Sequence, residues 1–308
     1  MSTQLLNRRL PQGLGSDPLA NGISRRCALR RTTLATLALA WGRAWAPLVP
    51  AQEQRRIRIG ACDWSIGQMG QTGAFALAKQ IGLDGVQVNL GTAADNLRLR
   101  QPAVQQEYLE AARKAGVPIA SLALAELNAV PYKKDPRTID WVSDSVQVCR
   151  ALGVRVVLLA FFGEDDLRED PAGVEEVVRR LKAVAPKAEK AGVILGLENW
   201  LSAEQNLKIL DRVGSPAVQV YYDICNSTDR GYDIGAEIRK LGKRICEFHA
   251  KENGALLGQG KVDFKSFRAA LDDIRYRGWI QIEGAVPPGK PILESYQANL
   301  KFLRALLA

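Results

Sequence analysis

Along most of this chain, short and nearly unbroken apolar runs alternate with longer segments in which apolar side chains recur every three or four residues. Eight runs have strand character: Ile57 to Cys62, Gly85 to Asn89, Ile119 to Leu124, Arg155 to Phe161, Val193 to Glu198, Val218 to Asp223, Ile245 to Ala250 and Trp279 to Glu283. Between them, Ala103 to Ala115, Thr138 to Leu152, Val174 to Ala191, Ala203 to Val213 and Phe264 to Arg277 carry the helical period, with a kink expected at Pro186. Strands that are apolar throughout, rather than alternating, belong to parallel sheets covered by helices. Eight of them predict an α/β fold, the (β/α)8 TIM barrel. An open doubly wound sheet is the alternative, but Gly60-Ala61-Cys62-Asp63-Trp64 after the first strand is not a phosphate-binding glycine fingerprint.

A weak internal repeat points the same way. Arg113-Lys114-Ala115-Gly116, Arg150-Ala151-Leu152-Gly153, Lys190-Ala191-Gly192 and Arg275-Tyr276-Arg277-Gly278 each set basic residues and then glycine before an apolar run. A cation in the last helical turn suits the helix dipole, and glycine beyond it takes the left-handed conformation that stops a helix. Each is expected to be a helix end leading directly into a strand.

The first 51 residues do not share this pattern. They hold seven arginines and one acid, Asp17. The order is Arg25-Arg26, an uncharged and mildly apolar run from Thr32 to Gly42, then Val49-Pro50-Ala51 before Gln52, which resembles a twin-arginine export signal. Residues 1–51 are thus expected to be a signal peptide read by the twin-arginine export machinery. Residues 52–308 are expected to form a single catalytic barrel, periplasmic and without a stable membrane anchor after cleavage. Without the leader the formal net charge falls from +9 to +3, so the basic character mostly describes the signal and is poor evidence for nucleic-acid binding, and no nucleic-acid partner is expected. The remaining cysteines, Cys62, Cys149, Cys225 and Cys246, are not spaced like a zinc motif and read as small buried side chains. A bridge between Cys225 and Cys246 stays open.

The chemistry sits at the ends of four successive runs. His249, the one histidine of the chain, ends Ile245-Cys246-Glu247-Phe248, and Glu198, Asp223 and Glu283 end three similar runs at intervals of 25, 26 and 34 residues. Each interval is about one βα unit, so four consecutive strands would aim four side chains at the carboxyl end of a barrel, where such folds place their active sites. One imidazole and three carboxylates form a ligand set for a hard divalent ion, Mn²⁺ or Mg²⁺.

The strand ends read Leu195-Gly196-Leu197-Glu198-Asn199-Trp200, Val220-Tyr221-Tyr222-Asp223-Ile224-Cys225-Asn226, Glu247-Phe248-His249-Ala250-Lys251-Glu252 and Gln281-Ile282-Glu283-Gly284. Together they resemble the xylose isomerase-like TIM-barrel superfamily, in its sugar phosphate isomerase/epimerase branch. Leu257-Gly258-Gln259-Gly260-Lys261 is similar to its Gly-x-Gly loop. The resemblance implies metal ligation by Glu198, Asp223, His249 and Glu283. It also implies a small-molecule sugar whose carbonyl and adjacent hydroxyl are held by the ion, and proton exchange with carbon by Glu198 and Glu283. Lys251 matches the family's His-x-Lys signature and would donate to a substrate oxygen. Glu204 falls where sugar epimerases place a substrate-contacting glutamate, and Asn226 where some members have histidine. Trp64 offers a stacking surface for a sugar, and Asp63, Asn89, Glu126 and Glu164 are further candidates for the pocket rim. The second strand departs from the pattern: it reads Val86-Gln87-Val88-Asn89 where many relatives carry glutamate.

The expected activity is therefore metal-dependent isomerisation or epimerisation of a sugar or keto-sugar through an enediolate. A lyase or dehydratase on a keto-sugar or keto-glycoside, using the same metal site, and a non-catalytic carbohydrate-binding barrel are the alternatives. A trinuclear-zinc nuclease of this fold needs several histidines, and this chain has one.

Overall fold

Eight parallel strands close on themselves in a computed structural model that describes residues 57–308. In chain order they are β1 (Ile57–Cys62), β2 (Gly85–Asn89), β3 (Ile119–Leu124), β4 (Val156–Ala160), β5 (Ile194–Glu198), β6 (Val218–Asp223), β7 (Ile245–Ala250) and β8 (Gly278–Ile282). Each pairs with the next, and β8 pairs with β1 from Ile57↔Gly278 to Ala61↔Ile282, so the sheet has no free edge. The helices are α1 (Gly73–Ile81), α2 (Pro102–Ala115), α3 (Arg137–Leu152), α4 (Pro171–Ala191), α5 (Ala203–Val213), α6 (Ile224–Asp229), α7 (Ile234–Leu241), α8 (Phe264–Asp273) and α9 (Ile292–Leu306). The architecture is the (β/α)8 barrel that the apolar runs predict. The expected leader lies outside the described residues, and among the described residues no helix is long and apolar enough to cross a membrane.

Three of the four expected helix stops behave as anticipated. Gly116, Gly153 and Gly192 cap α2, α3 and α4 in the left-handed conformation with φ of 67°, 69° and 68°. The fourth does not. Helix α8 ends at Asp273, Arg275 takes the positive φ (53°), and Gly278 opens β8. Gly278 is required by close approach instead, since a Cβ there would lie 2.5 Å from the Tyr276 hydroxyl. Helix α4 continues through Pro186 to Ala191.

The apolar core has two parts. The larger fills the space between barrel and helices, around Phe75, Tyr108, Val177, Leu181, Phe248 and Phe267. The smaller lies inside the barrel and holds Ala123, Val156, Leu158, Ala160 and Tyr221. Much of the remaining interior is polar, with Gln87, Ser121, Glu247, His249 and Gln281 all buried. Gly60 makes room for this filling, because a Cβ on it would meet Gln281 Oε1 at 2.1 Å and the Gly85 carbonyl at 2.9 Å.

Candidate active site

At the carboxyl ends of β5 to β8 the structure brings Glu198, Asp223, His249 and Glu283 together, with one ligand atom from each lying within 4.8 Å of the others. Strand register does this directly: Asp223 on β6 sits beside His249 on β7. Glu283 lies one residue past β8, held by its backbone N–H to the Ala250 carbonyl at 3.0 Å. His249 is fully buried, with Nδ1 2.9 Å from Glu198 Oε1 and 3.4 Å from Glu283 Oε2.

Asp223 divides its two oxygens between structure and site. Oδ1 caps α6, accepting the backbone N–H groups of Cys225 and Asn226 at 2.8 Å each. Oδ2 is buried, and its partner is the Lys251 ammonium, with Nζ 2.9 Å away. Burying a carboxylate is costly unless its charge is met, and this one shares its one ammonium with Glu283. Its position among two more carboxylates and an imidazole fits a divalent cation.

Glu283 is oriented from two sides. The Trp64 indole N–H donates to Oε1 at 2.9 Å, and Lys251 Nζ donates to Oε2 at 3.1 Å. Burial opposes the charge on this carboxyl, but the positive charges of His249 and Lys251 and these two donors prevail and hold its pKa down to about 2. Glu198 goes the other way: burial raises its pKa, the neighbouring carboxylates Glu283 and Asp223 add to this, and His249 opposes it. For Lys251, burial disfavours the charge, yet Asp223, Glu283 and Glu198 keep the ammonium protonated well above the usual range. Burial likewise opposes a charge on His249, while Cys62, Glu283 and Glu198 favour it, and the balance lies well above the ordinary imidazole value.

Above these groups opens a cavity of about 350 Å³ lined by Trp64, Asn89, Phe162, Trp200, Asn226 and Lys251 together with Glu198 and Glu283. One wall is aromatic: Phe162 and Trp200 meet edge to face at 4.9 Å, and the Arg168 guanidinium covers Trp200 at 4.6 Å. A larger cavity of about 780 Å³ lies at the other end of the barrel, by Ile57 and Ile59 at the start of β1, remote from the carboxylates.

The candidate residues thus separate. Trp64, Asn226 and Lys251 line the cavity with the two glutamates. Glu204 does not: it sits in the first turn of α5 on the outer helical layer, 60 % exposed, paired with Lys208 at 2.9 Å and Lys240 at 3.4 Å. Those lysines hold its pKa below the ordinary range. Asn89 lines the cavity, Glu126 accepts the Ala93 N–H at 2.8 Å, and Glu164 is exposed. Asp63 is buried as a loop anchor, its Oδ2 accepting from Asn89 N at 3.1 Å and Gly70 N at 3.3 Å. Cys225 and Cys246 carry free thiols, so the bridge left open by the sequence is not formed. The sequence reading passed over Gln87, Ser121, Tyr221 and Glu247, which form a hydrogen-bonded group below His249, and the aromatic pair Phe162 and Trp200. The signal for Glu247 was present: two residues before His249 on the same strand, it faces the same way.

Residues 75–306 match the family described as Xylose isomerase-like TIM barrel, and the chain belongs to that family. An L-ribulose 3-epimerase of Methylomonas sp. (strain DH-1) is 27 % identical over 237 residues, covering 72 % of this chain and 80 % of that protein. A 2-epi-5-epi-valiolone 7-phosphate 2-epimerase of Actinoplanes sp. is 25 % identical over 224 residues, covering 70 % of this chain and 82 % of that protein. Among solved structures, the D-psicose 3-epimerase of Clostridium cellulolyticum H10 superposes with a TM-score of 0.68 at 20 % identity, over 81 % of this chain and 99 % of that one.

Proposed function

We propose that this protein is a metal-dependent sugar isomerase of the epimerase type, exchanging a proton at a carbon next to a carbonyl. The observation that carries the reading is the convergence of three carboxylates on the single histidine at four successive strand ends, with one ammonium, Lys251, shared between Asp223 and Glu283. The sugar epimerases among its relatives support the same class.

Glu198, Asp223, His249 and Glu283 would hold one Mn²⁺ or Mg²⁺, which when bound polarises the substrate carbonyl and favours the enediolate. Glu198 comes from β5 and Glu283 from beyond β8, and both carboxylates reach His249 Nδ1, at 2.9 and 3.4 Å. One carboxylate removes the proton from one face of the carbon and the other returns a proton to the opposite face, which inverts the centre. Trp64 and Lys251 fix the two oxygens of Glu283 so that its lone pairs keep one direction. Lys251, protonated throughout, serves as a donor to a substrate oxygen and not as a base. Trp64, Phe162 and Trp200 present ring faces and edges to the apolar side of the sugar, and the Asn226 amide binds a hydroxyl.

The cavity favours an unphosphorylated sugar. Among the described residues that line it, Lys251 is the one cation, and it is engaged by Asp223 and Glu283. For residues 1–51 we propose a twin-arginine signal that directs the barrel to the periplasm. Replacing Arg25 and Arg26 together by lysine should leave the protein in the cytoplasmic fraction, and unchanged periplasmic recovery would remove that part of the reading.

The metal is tested by elemental analysis of wild type and His249→Ala after purification in Mn²⁺ and gel filtration. About one ion per wild-type chain and a clear loss in the variant are expected. Equal metal content in the two proteins would refute the site.

A further inference from the structure

Beneath the carboxylates, inside the barrel, lies a polar group that proton exchange at carbon does not use: Gln87 of β2, Ser121 of β3, Tyr221 of β6 and Glu247 of β7, all buried. Its hydrogen bonds run in one direction. Glu247 Oε2 accepts from the Ser121 hydroxyl at 2.8 Å and from the Tyr221 hydroxyl at 3.2 Å, with Gln281 Nε2 also aimed at it from 3.5 Å. With three donors converging on Oε2, that oxygen is an acceptor whether or not the carboxyl carries a proton elsewhere. Both hydroxyl hydrogens are therefore committed, and both hydroxyl oxygens are left to accept.

They accept from Gln87 Nε2, at 3.2 Å for Ser121 and 3.1 Å for Tyr221. This fixes the orientation of the Gln87 amide by its hydrogen-bond partners. Its oxygen then faces the other way, 2.9 Å from His249 Nε2, and also receives the Cys62 thiol at 3.2 Å. An amide oxygen can only accept, so His249 must carry its hydrogen on Nε2.

Two groupings of side chains around this histidine could take an ion. One uses the oxygens of Glu198, Asp223 and Glu283; the other uses Cys62 and Glu283. The Cys62 sulfur lies 3.4 Å from Nε2, and the Glu198 oxygen lies 2.9 Å from Nδ1. Glu283, common to both, is 3.4 Å from Nδ1, so what separates the groupings is the sulfur on the Nε2 side and the Glu198 oxygen on the Nδ1 side.

We infer that Glu247, acting through Ser121, Tyr221 and Gln87, is a positioning residue that keeps the hydrogen of His249 on Nε2. The ion then binds through Nδ1 on the oxygen side and not beside the Cys62 thiol. The inference rests on the metal reading of the site given above. A partner on the second ring nitrogen is what sets the tautomer of a ligating histidine, and loss of such a partner commonly costs 10- to 100-fold in metal affinity. The relay also selects chemistry. It turns the lone pair toward carboxylates, which suit Mn²⁺ and Mg²⁺, and closes the side where a sulfur would favour softer ions.

Because the chain has one histidine, histidine-specific ¹⁵N labelling gives a single imidazole to observe. In Mg²⁺-loaded wild type, NMR should find the ring hydrogen on Nε2, and Nδ1 should be the nitrogen whose resonance moves as Mg²⁺ is added. A ring hydrogen on Nδ1 in the loaded protein would overturn the relay while leaving the metal reading intact. If wild type binds neither Mg²⁺ nor Mn²⁺, the metal reading fails and takes the relay with it.

The second arm measures Mn²⁺ dissociation constants by calorimetry. Gln87→Met should weaken binding about 10- to 100-fold, and Glu247→Gln should weaken it less. The double variant should bind no worse than Gln87→Met alone, because both changes act through one nitrogen. A Gln87→Met protein with wild-type near-ultraviolet circular dichroism and affinity within about twofold of wild type would overturn the proposal. Losses that multiply in the double variant would do the same. Should Gln87→Met fail to fold, the wild-type imidazole spectrum decides alone.

Discussion

Each carboxylate of the site has its freedom removed by a different device. Asp223 gives one oxygen to the start of α6, Glu283 is held between an indole N–H and an ammonium, and Glu198 lies against the imidazole. Replacing Glu198 or Glu283 by glutamine keeps the volume but removes a proton carrier, so turnover of a keto-sugar should fall roughly 10²-fold or more in either variant. Activity within threefold of wild type in one of them would remove that residue from the proton path. Asp63 makes a separate prediction. Burial raises its pKa from 3.8 to about 7 against three backbone donors, so the folded state binds its proton more tightly than the unfolded chain. The stabilisation from this group is therefore full below about pH 4 and is lost as pH rises through about 7. Relative to Asp63→Asn, wild type should lose stability across that window by at most ~1.4 kcal/mol per pH unit, measured by urea unfolding at pH 5 and pH 8. A pH-independent difference between the two proteins would contradict the raised pKa.

The elements were legible because burial on both faces makes a parallel strand an unbroken apolar run, and all eight strands begin and end within one residue of their run. The eighth is shifted so that Glu283 falls just outside it, where its side chain can turn toward His249. Helix α6 left no periodic signal because it is six residues long and starts from the cap that Asp223 provides. That Glu198, Asp223, His249 and Glu283 come together was legible from their spacing. Glu204 was misplaced because a strand-end motif carries no information about which side of the following helix a first-turn carboxylate faces. The spacing of Glu247 from His249 put both on one face of β7, but what Gln87 and Glu247 bond to is set only when the barrel closes and brings β2, β3, β6 and β7 round one interior. That closure is tight at Gly60, where a methyl group would overlap Gln281 Oε1. Gly60→Ala should lower stability by ~1–3 kcal/mol, read as a lower midpoint in thermal unfolding. An unchanged midpoint would show that the interior has room that the packing denies.

As a whole molecule, the barrel gathers like charges at one end and leaves them to be balanced. Among the described residues His249 and Lys251 are the cationic partners of Glu198, Asp223 and Glu283, so a divalent cation bound there should stabilise the fold as well as serve the reaction. Mn²⁺ at about 100 times its dissociation constant should add ~2.7 kcal/mol to the unfolding free energy of wild type, and none to that of His249→Ala. The same shift in both proteins would place the stabilising ion elsewhere. The measurement that reaches the central claim most directly follows solvent deuterium during turnover. With Mn²⁺-loaded enzyme and a ketose substrate in D₂O, mass spectrometry and NMR should find deuterium at the carbon next to the carbonyl in the product, with the rate abolished by chelation and depressed in Glu198→Gln and Glu283→Gln. Product formed without deuterium at that carbon, or formed equally fast after the metal is removed, would contradict proton exchange at a metal-assisted site.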